Sequence, residues 1–172
     1  MAERGCAVPD HPGVRLRTLE DVFAYAQAEG VELRLDAAEV QVRRPRAGRG
    51  GRRAFVSGKK KQNTMKAVVA DHRGCTLWTD AMRPGRMHDA TAARTEGIDA
   101  CFRYFPQVGV LLDDGYLGLR RDHRHQALTP PRKPNKSALP EFHEQWRRHR
   151  HEHSSDRITV ENALATTNVG SN

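Results

Sequence analysis

With 172 residues the chain has room for one domain with a sizeable core plus terminal extensions. Lys and Arg outnumber Asp and Glu by 29 to 21, and the net charge of +8 favours a polyanionic partner, nucleic acid first. No apolar run approaches the roughly eighteen residues of a membrane span, and MAERGCAVPDHPG at the N-terminus lacks the apolar segment of a secretory signal, so no membrane partner is expected and the expected compartment is the cytoplasm. Cys6, Cys75 and Cys101 are odd in number and widely spaced, and read as free thiols.

Residues 1–13, with two prolines and two glycines, read as a tail. Thr18 opens a helix in which Leu19, Val22, Phe23 and Ala26 fall at helical spacing and Gly30 is the stop. From Val31 the period changes to two: Val31, Leu33 and Leu35 alternate with charged residues, Asp36 and Ala37 make a short turn, and Glu39 to Arg43 continues as strand. Strands are expected again at Thr64 to Ala70 and Cys75 to Thr79, giving a three-stranded meander. HDATAARTEG predicts a short helix ending at Gly97, Val108 to Leu112 a continuous apolar strand, and Ala127 to Thr129 a further strand before Pro130 and Pro131. Two helices close the chain, one from Pro140 to His151 and a second after Ser154 and Ser155. Strands, a crossover helix, another strand and then helices predict an α/β architecture with a mixed sheet.

Two features carry chemistry. From Val40 to Ala70 the chain has ten Lys or Arg and no acid. Such a run is either a solvated hairpin loop or a surface for phosphates, and the glycines among the cations suit close backbone approach. The second feature is VGVLLDDGYLG: a strand buried on both faces and ended by Asp113 and Asp114 sets a carboxylate at the rim of the sheet, where open α/β sheets bind ligands. Asp114-Gly115 is equally a common turn dipeptide, and turn and site are compatible. Asp36 follows another apolar-alternating strand, and Glu161 stands in a predicted helix one turn after Arg157, its alternative partner in a salt bridge. Three acids converging from distant segments suit Mg²⁺, a hard cation with oxygen ligands, and two such ions about 4 Å apart can serve phosphodiester chemistry.

In order, VELRLDAAEVQVRRP, FVSGKKKQNTMKAVVADHRG, GRMHDATAAR, LLDDGYLG, LTPPRKP and DRITVENALA resemble the landmarks of the DDE superfamily endonucleases, the bacterial insertion-sequence transposases related to Harbinger-type nucleases. The resemblance runs from about Leu16 to Ala165. It implies an RNase H-like α/β fold, a three-stranded antiparallel meander plus parallel strands with flanking helices, spanning residues 31–165. Residues 14–30 would be a remnant of a leading region and residues 166–172 a tail. It also implies that Asp36, Asp113 and Glu161 are catalytic and hold Mg²⁺ or Mn²⁺, for cleavage at transposon ends and strand transfer into target DNA.

By the same likeness Lys59, Lys60 and Lys61 line double-stranded DNA, and the surrounding cations Arg43, Arg44, Arg52, Arg53 and Lys66 are expected to join them. His88 and Asp89 match a motif near the active site, with an N-cap aspartate as the bland alternative. Tyr116 and Arg157 complete the expected support, although Tyr116 also reads as a packed ring. A homo-oligomer in a transposition complex and association with the nucleoid are further expectations. The family carries a helical DNA-binding region ahead of the first strand and a basic continuation after the glutamate, so the sequence reads as truncated at both ends, with a last helix that frays around Glu161. The competing readings are a catalytically silent fragment that binds DNA through residues 43–66 and, less favoured, a phosphodiesterase for small nucleotides. His149, His151 and His153 read as an adventitious metal-binding tract, and Trp146 as a packing residue.

Overall fold

A computed structural model describes the backbone of residues 6–8, 11–43, 52–72 and 75–167, and side chains within 8, 13–43, 53–72 and 75–155. The elements in chain order are β1 (Cys6–Val8), β2 (His11–Leu16), α1 (Leu19–Glu29), β3 (Leu33–Gln41), β4 (Thr64–His72), β5 (Cys75–Thr79), β6 (Arg83–Pro84), α2 (Asp89–Thr95), α3 (Ile98–Tyr104), β7 (Val110–Leu111), α4 (Leu117–Asp122), β8 (Ala127–Leu128) and α5 (Pro140–Thr167).

Helix α1 starts where the sequence says it should. The Thr18 hydroxyl accepts from the Asp21 N–H while the Asp21 carboxylate accepts from the Thr18 N–H, a reciprocal capping box, and Gly30 closes the helix in the left-handed region at φ 63°. The main sheet has the order β5-β4-β3-β7-β8, with β6 paired to β4. Strand β3 stands at its switch point: it is antiparallel to β4 over eight consecutive residue pairs and parallel to β7, and β7 is parallel to β8. Helices α2 and α3 form the crossover from the antiparallel part to the parallel one, as the α/β mixed-sheet expectation required.

Side chains alternate across a strand, so one face of β3, β4 and β7 carries Leu33, Leu35, Val68, Ala70, Val110 and Leu112, all members of the core. Val22, Phe23 and Ala26 of α1 and Ile98, Cys101 and Phe102 of α3 belong to the same cluster. Phe23 meets Phe102 edge-on, with centroids 5.6 Å apart and planes at 84°.

Four local expectations change. Asp36 and Ala37 are not a turn: β3 runs through them, because β4 supplies a partner for each, Val69 for Asp36 and Val68 for Ala37. The N-terminal stretch read as a tail contains the β1-β2 hairpin, whose Val8 and Leu16 are buried in the core. A second helix, α3, follows Gly97 directly, so the crossover is a helix pair. The two closing helices are one: α5 passes through Ser154 and Ser155 without a break and extends six residues beyond Glu161 to Thr167.

Candidate active site

Asp36 alternates with the buried Leu33 and Leu35 and so belongs to the opposite face of β3. The parallel register pairs Leu33 with Val110 and Arg34 with Leu111. Asp36 and Asp113 each follow the last of these pairs, Arg34 with Leu111, by two residues, Asp36 within β3 and Asp113 beyond the end of β7. The Asp36 carboxylate accepts from the Ala37 N–H at 2.7 Å. Asp113 lies just past the end of β7, where the chain turns into a single 3-10 turn, Asp114–Tyr116, and its Oδ1 accepts from the Gly115 N–H at 2.8 Å. The turn reading and the rim position thus hold together: the same aspartate follows the strand by two residues and caps the turn. Asp114 faces away and lies 3.6 Å from Arg150 of α5.

Gly115 is where a second carboxylate comes in. A Cβ placed on it would sit 2.7 Å from Asp89 Oδ2 and 2.9 Å from Asp113 Oδ1, both too close for any real side chain. A side chain at this position of Asp-x-Gly would have to displace one of the two carboxylates. Asp89 is the first residue of α2 and not its N-cap. His88 occupies the cap position, without a side-chain bond, and is exposed.

Asp89 Oδ1 accepts from Lys66 Nζ at 2.5 Å, and the same ammonium lies 3.5 Å from Glu39 Oε1. The side chain of Lys66 is only 7% exposed, and those of Glu39 and Asp89 are 14% and 25% exposed. Lys66 was expected to touch DNA; enclosed between two acids it faces inward, and that assignment is corrected. Glu39 in turn accepts from the buried Ser57 hydroxyl at 3.0 Å, and Ser57 Oγ receives the backbone N–H groups of Lys59 and Lys60. Lys60 Nζ donates to the Glu39 carbonyl at 3.2 Å. With the Val56–Asn63 bridge, these bonds shape a tight turn on which Lys59, Lys60 and Lys61 are all exposed, Lys60 reaching back to β3 and Lys61 with φ 57°.

Sequence reasoning passed over Glu39 and Ser57 and misplaced Lys66. A signal was present. Thr64, Lys66, Val68 and Ala70 share one face of β4, so the lysine extends an apolar row towards the core, and Glu39 is its cross-strand partner.

Tyr116 is fully buried in the core, in keeping with the packing alternative. Trp146 donates to the Pro131 carbonyl at 2.9 Å and is flanked by Lys133 and Arg150, each 5.6 Å from its ring. His153 approaches the Leu128 carbonyl at 3.2 Å, so α5 runs alongside β8. Glu161 lies on α5 about 12 Å further along the axis. The side chains of Glu161, Arg157 and Arg52, and all of Arg44, lie outside the described residues. Arg43 and Arg53 are exposed. Helical geometry separates His151 from His149 and His153, and among the described residues no three His, Cys, Asp or Glu side chains are grouped to hold a metal. Cys75 is exposed and Cys101 buried, both free thiols, as expected. No helix among the described residues is long and apolar enough to cross a membrane.

The mixed sheet with flanking helices, entered by Asp36 on its first strand and left by Asp113, is an RNase H-like catalytic fold of the kind used by transposase-type nucleases. The chain belongs to the DDE superfamily endonucleases, whose family model matches residues 35–168. No curated protein and no solved structure matches it. The family carries DNA as its substrate class and, in general, divalent metals as its cofactors.

Proposed function

We propose that the protein is a metal-dependent DNA endonuclease and strand transferase of transposase type, in which Asp36, Asp113 and Glu161 hold two Mg²⁺ or Mn²⁺ ions. The observation that supports this reading is the parallel register of β3 and β7 at the switch point of the sheet, with Asp36 two residues beyond the last pair on β3 and Asp113 two residues beyond it after β7. The donors fit a hard cation, since all of them are carboxylate oxygens. When bound, divalent ions would supply Lewis acidity for a scissile phosphodiester and lower the pKa of an attacking hydroxyl.

The chain's own residues divide the remaining work. Gly115 N–H orients the Asp113 carboxylate, and the Ala37 N–H does the same for Asp36. Lys59 and Lys61, with Arg43, Arg44, Arg52 and Arg53, neutralise phosphates on either side of the cut strand and set the duplex in register without reading sequence. The turn built around Ser57 holds the lysines at a fixed height above β3, so substrate position and carboxylate position are tied through one strand. Assembly of two or more copies on transposon ends belongs to the same reading.

Nicking of supercoiled plasmid in Mg²⁺ or Mn²⁺ tests it. Asp36→Asn and Asp113→Asn should each abolish nicking while DNA affinity persists. Retained nicking in either variant removes that residue from the mechanism, and metal-independent binding without nicking in the parent leaves a silent DNA-binding fragment.

A further inference from the structure

We propose that Lys66 and Asp89 are positioning residues: their buried ion pair, acting through Gly115, fixes the rotamer of Asp113. The proposal rests on the reading of Asp113 as a metal ligand for its functional meaning, but its structural content stands apart from it.

Asp113 Oδ1 accepts from the Gly115 N–H, so a shift of the Gly115 peptide carries one of the carboxylate's donors with it. That peptide belongs to one 3-10 turn, a poor holder of its own geometry. Asp89 crowds the same side of Gly115, its Oδ2 and Cβ 2.7 and 3.5 Å from where a Cβ would stand. Asp89 is thus the wall against which the turn rests. A wall made of a carboxylate must itself be fixed and neutralised, because two acids flanking one Cα repel each other.

Lys66 does both. Its ammonium binds Asp89 Oδ1, and it is anchored from behind by Glu39, which the Ser57 hydroxyl secures. An ammonium with a side chain 7% exposed and two acid partners has few alternative rotamers, so the wall is stiff. The series Ser57, Glu39, Lys66, Asp89, Gly115, Asp113 therefore joins the three-lysine turn to the end of β7 through contacts on the core side of the sheet. Partners of this kind behind a metal ligand affect metal affinity by about 10- to 100-fold when removed.

The test uses the full chain and two readouts. Without metal, hydrogen exchange of the Gly115 amide is followed by NMR in the parent, Asp89→Ala, Lys66→Met and the conservative Lys66→Arg. Exchange at Gly115 should speed at least tenfold in Asp89→Ala and Lys66→Met, return most of the way in Lys66→Arg, and leave the β3-β4 ladder amides unchanged. Should Lys66→Met fail to fold, Asp89→Ala and Gly115→Ala carry the test, since a methyl on Gly115 must push Asp113 away from Asp89.

With Mn²⁺ as the probe, calorimetric titration should show Kd raised about 10- to 100-fold in Gly115→Ala and Asp89→Ala, and part of the Gly115→Ala loss recovered in the double variant, where the methyl has room. Unchanged Gly115 exchange in Asp89→Ala overturns the positioning proposal whatever Mn²⁺ does. A parent that binds no Mn²⁺ overturns the metal reading instead, and leaves the exchange result to decide the positioning.

Discussion

Replacing Lys66 by Met keeps the length of the side chain and removes its charge from between Glu39 and Asp89. Breaking a buried ion pair from one side costs about 3–5 kcal/mol, because the partner charge is left behind without compensation. Here the two carboxylates keep some water, at 14% and 25% exposure, which moves the expected loss to about 2–3 kcal/mol. In a chain of this size each kcal/mol lowers the melting midpoint by about 2–4 °C, so a fall of about 4–12 °C is expected. Urea and thermal unfolding at neutral pH measure it. Asp89→Asn removes one of the stranded charges, so the double variant Lys66→Met/Asp89→Asn should be less destabilised than the two single losses added together. A loss below about 1 kcal/mol, or strict additivity, would mean that the pair is solvated and that its enclosure by Glu39 and Asp89 carries no energy.

Three further outcomes are expected. Burial alone pushes the Asp21 carboxyl up, but the backbone N–H groups of Arg17 and Thr18, the Thr18 hydroxyl and the nearby Arg17 charge outweigh it and hold the group below its usual value. Its contribution is therefore complete above the unfolded value of about 3.9 and drains as pH falls through the lower folded value, so Asp21→Asn should lose stability at pH 7 and match the parent in strong acid, as read by urea melts across pH. Burial, aided by the charge of Glu20, pushes the Cys101 thiol up to about 11; in a Cys6→Ser variant at pH 8, Cys75 should react promptly with a thiol reagent while Cys101 waits on unfolding, and two equally fast thiols would contradict the buried site. Replacing Lys59 and Lys61 by Ala should weaken binding to any duplex and flatten the dependence of log affinity on log salt by about 0.9 for each phosphate no longer neutralised, and an unchanged slope would take the turn off the DNA path.

The parts of the fold legible in the sequence are those set by local periodicity. The α1 cap and stop follow from Thr18, Asp21 and Gly30, and the β3-β4-β5 meander from alternating apolar residues. Hidden were the places where tertiary partners decide. Asp36-Ala37 reads as a turn until β4 supplies eight consecutive partners, and Ser154-Ser155 reads as a cap although α5 continues through it. The same limit governs the site. The landmarks around Asp36 and Asp113 were visible as motifs, but the run of ten cations masked the alternation with Val68 and Ala70 that turns Lys66 inward. Only the pairing of Glu39 with Lys66 turns that residue from a surface cation into a buried brace.

The claim that Asp36 and Asp113 share a divalent cation is tested most directly by adding substoichiometric Mn²⁺ to the ¹⁵N-labelled protein and mapping which amides its paramagnetism broadens first. Ala37 and Gly115, whose N–H groups hold the two carboxylates, are predicted to fade together with the α5 turn around Glu161, and Asp113→Asn to abolish the effect at all three. Broadening centred on His149 and His153, or at Ala37 without Gly115, would contradict a shared cation.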